Sequence, residues 1–531
     1  MSIKKITTVA ALVSAFISTG HQAQANTWLK VESPNYIIYS EETPKISEEY
    51  AKKLERFHYI TSHLYIEMGD SHLKPAQKHS FYFFKNLSDY SIVRPGIKRN
   101  AFNPLYVCEE GFQYFTTSEA QYVNTDRTGA DLVKGLDYDL AVMFMSLNQT
   151  LLIEYFSYPI PSWLWQGLGK YMMTAEIADD YIILGKPIPD TNWLHNNVGM
   201  AVSAKDKRYR ADFGDIISGK RASENEVARG IQTWVIAHYM MSTTERRKQL
   251  KQFLILQSQG TPALEAFETS TGLTPAALDA IYDQYLSKGV PVSTYTLPPF
   301  PTSDISIEAL PNYNEKLPLL NAATLACPSD DYGKKLLERI RKQANRTPDD
   351  PLTQETLMRA QILFGAPLDA KLYLDTRLTS NPEDFVAQYW SGRLYLQLAQ
   401  DAPESLPAET RAEYYATARK ELSKAYKINS GYAPLLYYFA VAHEDRADFP
   451  NQNVLNAIEL AQNYSQNMYT MYEIELLVRA NKKEAALAKL TLIRDKCDDS
   501  EWCGKVKDLF DAIFSDAPKE VTLTKLDDLK K

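Results

Sequence analysis

From about Leu319 to Ile513 helix-forming sequence is punctuated at a fixed interval, and no other feature limits the possible folds so strongly. Thr347-Pro348-Asp349-Asp350 recurs as Asn381-Pro382-Glu383-Asp384, an offset of 34 residues, and Asn429, Asn463 and Cys497 close later helical stretches at the same offset. A repeat of this length is one pair of helices that cannot bury its apolar face alone, so neighbouring pairs must stack. Between Asn381 and Asn429 the spacing is 48 residues, the period plus an insertion of 14 that fits the Pro-containing segment around Asp401 to Glu409.

The first half reads differently. Tyr36 to Tyr39 and Ser80 to Phe84 predict strands, Gly111 to Tyr122 a further one, and Pro44 to Met68 a helix with Tyr50, Leu54 and Phe57 three to four apart. From Ala130 onward helices dominate. Six prolines between 290 and 318 predict a linker there. The expected division is 1–25, 26–289, 290–318 as linker, 319–515 as helical repeats, and 516–531 as a charged, frayed tail.

Lys4 and Lys5 precede an apolar run from Ile6 to Ile17, followed by Ala23-Gln24-Ala25, the pattern of a secretory signal peptide cleaved near Ala25. The run is about a dozen residues, short of the roughly 20 that cross a bilayer. A periplasmic or secreted protein without a membrane span is therefore expected. The formal net charge is −8, or −10 once the two leader lysines are removed, with no basic stripe for a phosphate backbone, so nucleic acid is not an expected partner. In an oxidising compartment Cys497 and Cys503, six positions apart, are the expected disulfide, and the state of Cys108 and Cys327 stays open.

Leu136 to Met145 followed by Pro161-Ser162-Trp163-Leu164-Trp165-Gln166-Gly167-Leu168-Gly169-Lys170-Tyr171 resembles the peptidase MA-like, gluzincin-type family over roughly residues 27 to 289. The resemblance implies an α+β zincin-like domain, largely helical, in which His-Glu-x-x-His on one helix and a glutamate on the next would hold zinc. At the matched positions this chain has Tyr138 and Val142 for the histidines, Asp139 for the general base and Gln166 for the third ligand. Valine has no donor atom, neutral glutamine is a poor ligand, and a phenol with pKa near 10 keeps its proton at neutral pH. These four positions are vestigial, and no metal, cofactor or catalytic residue is expected. The 34-residue period and segments such as Asn481 to Leu487 resemble tetratricopeptide repeats, which implies an all-α solenoid that holds a protein or peptide partner.

The remaining histidines form no evident site. His58 and His63 diverge by about 140° on a helix; His72, His79, His195 and His443 are isolated; His238, in an apolar helix, reads as a hydrogen-bonded core residue. Adjacent Glu109-Glu110 and Asp179-Asp180 read as solvated turns, and no nucleophile elbow or phosphate loop is present. Together these readings predict an exported non-catalytic scaffold. The alternative is a hydrolase or peptidase with an unrecognised site in the same cleft, where Asp139 and Glu154 are the available carboxylates.

Overall fold

The computed structural model describes residues 28–69, 78–97, 105–108, 111–117, 138–156, 160–187, 210–220, 226–300, 304–464, 469–494 and 500–530. The expected leader, residues 1–25, lies outside them. The fold is mixed α/β, with a small sheet in the first half and a helical second half. No helix among the described residues is long and apolar enough to cross a membrane.

The main sheet orders its strands Leu105–Cys108, Gly111–Thr117, His79–Phe84, Tyr36–Ser40, Leu29–Glu32 and Ser306–Ala309. Strands β1 (Leu29–Glu32) and β2 (Tyr36–Ser40) form an antiparallel hairpin, and α1 (Pro44–Met68) then crosses to β3 (His79–Phe84), parallel to β2. β5 (Gly111–Thr117) continues the parallel set and β4 (Leu105–Cys108) closes that edge antiparallel. Thr43 starts α1 as N-cap, its hydroxyl accepting from the Ile46 amide at 3.4 Å, and Pro44 occupies the first turn where no amide is needed. Ala51, Leu54, Phe57, Thr61, Leu64, Tyr65 and Met68 form the buried stripe that lays α1 on the sheet.

The run Phe81-Tyr82-Phe83-Phe84 is apolar on both alternations, and the structure buries both faces. Phe81 and Tyr114 face α1 with Tyr36 and Ile38. Tyr82, Phe84, Phe115 and Tyr39 face the opposite way, where Leu317, Leu319 and Ala322 of α9 (Leu317–Thr324) cover them. The sheet of the first half is thus roofed by the first helix of the second.

This arrangement changes the meaning of residues 290–318. The proline-rich segment carries β8 (Ser293–Thr296) and β9 (Ser306–Ala309). β8 pairs with β7 (Tyr181–Leu184), itself paired with β6 (Glu176–Ile177), in a second sheet, and β9 pairs with β1 at the edge of the main sheet. Prolines flank these strands without interrupting a ladder, as edge strands allow. The expected linker is therefore hydrogen-bonded into both sheets.

The first half continues with α2 (Tyr138–Tyr155), α3 (Ser162–Met172), the short α4 (Phe213–Ile217) and α5 (Glu226–Met241). They are followed by α6 (Thr244–Ser258), α7 (Ala263–Thr271) and α8 (Pro275–Lys288). Gly167 on α3 explains one close packing: a Cβ there would stand 2.5 Å from the Thr233 carbonyl and 2.7 Å from the Ala237 methyl of α5.

Beyond α9 the helices run α10 (Asp330–Ala344), α11 (Pro351–Phe364), α12 (Lys371–Ser380), α13 (Phe385–Gln400), α14 (Ala408–Ile428) and α15 (Ala433–Val441). Then come α16 (Gln452–Tyr464), α17 (Thr470–Arg479), α18 (Lys483–Arg494), α19 (Glu501–Phe514) and α20 (Lys519–Lys530). Consecutive members pack in pairs, α10 with α11, α13 with α14, α15 with α16 and α17 with α18. The recurring motifs are helix boundaries. Asp350 and Asp384 are N-caps that accept from the amides of Thr353 (2.8 Å) and Ala387 (3.0 Å). Asn381 and Asn429 are extended C-caps whose side chains accept from the amides of Glu383 and Gly431, both at 3.1 Å. Gly392 lets α13 touch α14, since a Cβ would meet the Leu422 side chain at 2.6 Å. The tail expected to fray instead forms α20, with Thr522, Leu526 and Leu529 buried at three- and four-residue spacing.

Covalent and polar ties lock the halves together. Cys108 on edge strand β4 is disulfide-bonded to Cys327, 219 residues away, with Cα atoms 6.0 Å apart. Cys503 is also disulfide-bonded, while Cys497, its expected partner, lies outside the described residues. Asn321 of α9 donates to the Tyr82 hydroxyl at 3.2 Å and accepts from the Arg359 guanidinium at 2.6 Å, and Lys316 pairs with Glu41 and Asp89 of the first half.

Candidate functional site

Tyr138, Asp139, Val142 and Gln166, the four positions singled out from the sequence, occupy one helix pair. Tyr138, Asp139 and Val142 stand on the first turns of α2, with side chains outside the described residues, and Gln166 stands on α3. Gln166 is exposed while Trp163, Leu164, Gly167 and Leu168 turn inward, because the apolar stripe of α3 fixes which side meets α5. Glu154, the other carboxylate considered for the cleft, lies at the far end of α2.

That far end is where the buried polar groups gather. α1 and β5 pack against this helix, and side chains of α1, β2 and β3 bring polar groups into the apolar interior. Glu55 accepts from the Ser33 hydroxyl (2.6 Å), the Asn35 amide (2.8 Å) and the Asn35 side chain (2.6 Å), which fixes the β1–β2 turn against α1. The Tyr36 hydroxyl and His58 Nδ1 are 2.7 Å apart. His79 Nε2 comes within 2.9 Å of Glu154 Oε1 as an ion-pair contact lacking hydrogen-bond alignment, and Glu154 Oε2 is buried without a partner among the described residues.

Burial sets the protonation of these groups. The Tyr36 phenol is pushed well above its ordinary value by desolvation and by the carboxylates of Glu55 and Glu154, so it keeps its proton. His58 is pushed down, first by burial and also by His79, against the opposing pull of Glu154 and Glu55. Donation from the protonated phenol to Nδ1 satisfies the buried O–H, and in that tautomer Nε2 of neutral His58 carries the ring proton.

Beside this cluster opens a cavity of about 470 Å³. One helical stripe of α1, comprising Glu55, Tyr59, Ser62 and Ile66 with Arg56, His58 and His63 beside it, forms its floor and one side; Tyr155 of α2, Asn35 and the extended segment Leu297 to Phe300 form the rest. His58 and His63, which diverge on the helix, both line it because the cavity is wider than a helix face. Sequence reasoning missed this site. The one available signal was polar residues at 55, 58 and 62, on a helix stripe where core packing calls for apolar ones; the opposing wall comes from more than 200 residues downstream.

His238 is elsewhere in the core. Nε2 lies 3.1 Å from the Gly185 carbonyl and Nδ1 3.0 Å from the Tyr285 hydroxyl, and burial lowers its pKa to about 4 despite the carbonyls of Pro291 and Gly185. This is the hydrogen-bonded core histidine read from the sequence. Asp179 is a solvated partner of Arg56 at 3.0 Å. Glu109, Glu110, His72 and His195 lie outside the described residues. Among the described residues no group of three or more His, Cys, Asp or Glu side chains is arranged to hold a metal ion. No protein-family model matches this chain, and neither a curated protein nor a solved structure is found similar to it.

Proposed function

We propose that this chain is an exported, non-catalytic binding protein: a degenerate, zincin-like metallopeptidase domain fused to a tetratricopeptide-like solenoid that recruits a protein or peptide partner. The observation that carries the reading is the chemistry at the matched ligand positions. Val142 has no lone pair to give, and Gln166, in the place of the third ligand, is neutral and exposed. Export is supported by the Cys108–Cys327 disulfide, a bond that persists in oxidising compartments. The solenoid reading is supported by N-caps at Asp350 and Asp384 one period apart and by the consecutive pairing of helices. Stacked helix pairs present an extended surface on which partners dock.

Metal analysis of the full-length, disulfide-intact protein should find less than stoichiometric zinc and no chelator-sensitive peptide cleavage; zinc bound one to one with such cleavage would overturn the reading. Cross-linking to a captured partner should map to lysines of the helical half, such as Lys427 and Lys482. Cross-links confined to residues 28–289 would remove recruitment from that half. The rival reading, a hydrolase with an unrecognised site, draws on the buried His79–Glu154 contact, and it predicts cleavage that survives chelation and is lost in Glu154→Gln.

A further inference from the structure

The cavity beside α1 is not the place the metallopeptidase resemblance marks. Tyr155, its lining residue from α2, is 17 positions beyond Tyr138, about 25 Å along the helix axis. Whatever occupies this cavity therefore owes nothing to the vestigial ligand positions.

The lining is unbalanced in hydrogen bonding. Glu55 is the carboxylate among the described lining residues, and both its oxygens are engaged by Ser33 and Asn35. The donors are not engaged in the same way. Arg56 directs one terminal nitrogen at Asp179, a side chain 95% exposed, and its Nε is buried with no partner among the described residues. His58 uses Nδ1 on Tyr36 and lines the cavity with no hydrogen bond to Nε2 among the described residues. Ser62 Oγ is buried beside the Tyr155 hydroxyl without a well-aligned bond. A buried donor without an acceptor is unfavourable, so a ligand that brings acceptors is stabilised at these atoms. The walls are apolar: Leu297, Pro298, Pro299 and Phe300 on one side and Ile66 on the other. Two consecutive prolines hold that wall extended and remove its amide donors.

We infer that this cavity binds a compact apolar carboxylate, with the Arg56 guanidinium and the His58 imidazole N–H receiving the carboxylate and the Leu297–Phe300 wall covering the apolar body. A planar guanidinium suits two carboxylate oxygens, and the volume suits a group the size of an aromatic amino acid. A free small acid and the C-terminal residue of a peptide present the same head group and the same apolar body. The inference stands apart from the proposed scaffold role and survives its failure.

Calorimetric titration of the full-length, disulfide-intact protein tests it with N-acetyl-L-phenylalanine, with the tripeptide Gly-Gly-Phe, and with the C-terminal amides of both. At least one acid should bind saturably, and its amide at least about tenfold more weakly, the loss expected for a charged hydrogen-bonded head group. Binding of the tripeptide acid alone assigns a peptide C-terminus; binding of the acetylated amino acid alone assigns a free small acid. Arg56→Met should weaken the acid at least about tenfold, and Ile66→Trp, at an exposed rim position, should block it by filling the mouth without touching a polar group. If Arg56→Met does not fold, Ile66→Trp decides. The inference is overturned by no saturable binding of either acid, by equal affinity for acid and amide, or by unchanged affinity in the folded variants.

Discussion

The two faces of the main sheet use the same strands for opposite purposes. On the face toward α1, the apolar layer is interrupted by Tyr36, His58, His79 and Glu154, and a cavity with unmatched donors opens beside them. On the face toward α9, Tyr39, Tyr82, Phe84 and Phe115 are closed over by Leu317, Leu319 and Ala322, and the polar atoms there, Asn321, Arg359 and the Tyr82 hydroxyl, bond to one another. On the α1 face several polar atoms lack partners beside a cavity, whereas on the α9 face, among the atoms just named, the Nε of Arg359 lacks one among the described residues. That difference separates a surface suited to a ligand from a joint suited to rigidity.

The largest test of the joint is Phe84→Ala. This side chain is fully buried under α9, and its loss should destabilise the protein by about 3–5 kcal/mol in denaturant unfolding. A value under about 1 kcal/mol would mean that the second half does not seal this face. Opening the Cys108–Cys327 bond by Cys108→Ser with Cys327→Ser should cost about 2–4 kcal/mol and expose the segment between 310 and 330 to limited proteolysis. Proteolysis unchanged from the parent protein would show that the noncovalent joint suffices.

Acid should act on the α1 side first. His58 and His238 are both held neutral by burial, so as pH falls below about 6.5 the unfolded chain takes up their protons before the folded one. Stability should therefore decline from about pH 6.5 towards pH 4, with up to about 3 kcal/mol from His238, and the decline should be shallower in His238→Gln. Hydrogen exchange should rise in α1 and β7 before α9; the reverse order would contradict the contrast between the faces. The smallest effect expected is from Asp179→Ala, which removes the solvated partner of Arg56: stability should change by less than about 0.5 kcal/mol, and a larger loss would show that Arg56 depends on that pair for its position.

Much of this was legible in the residues. The boundaries of α1, the strands at Tyr36 and Ser80 and the helix caps at Asp350, Asp384, Asn381 and Asn429 follow from local rules: periodicity, proline at a first turn, and side chains that satisfy helix-end amides. Other features were not. Residues 290–318 have composition proper to a linker, and their pairing with β1 and β7 depends on strands more than 100 residues earlier in the chain. Charges in 516–531 mask the short stripe of Thr522, Leu526 and Leu529, too weak to read without the helices it packs on. The cavity escaped notice because α1 supplies its donors and the segment at 297 its wall, and no local pattern relates the two.

By itself the sequence determined where many of the helices begin and end and which strands would be apolar on both alternations. These are properties of a side chain and its near neighbours, written into every few residues. Only the tertiary structure decided that α9 would roof the sheet, that Cys108 would meet Cys327, and that the donors of Arg56 and His58 would be left facing an apolar wall. Such outcomes depend on which surfaces exclude water together, a choice made between segments that the chain brings close only when it folds.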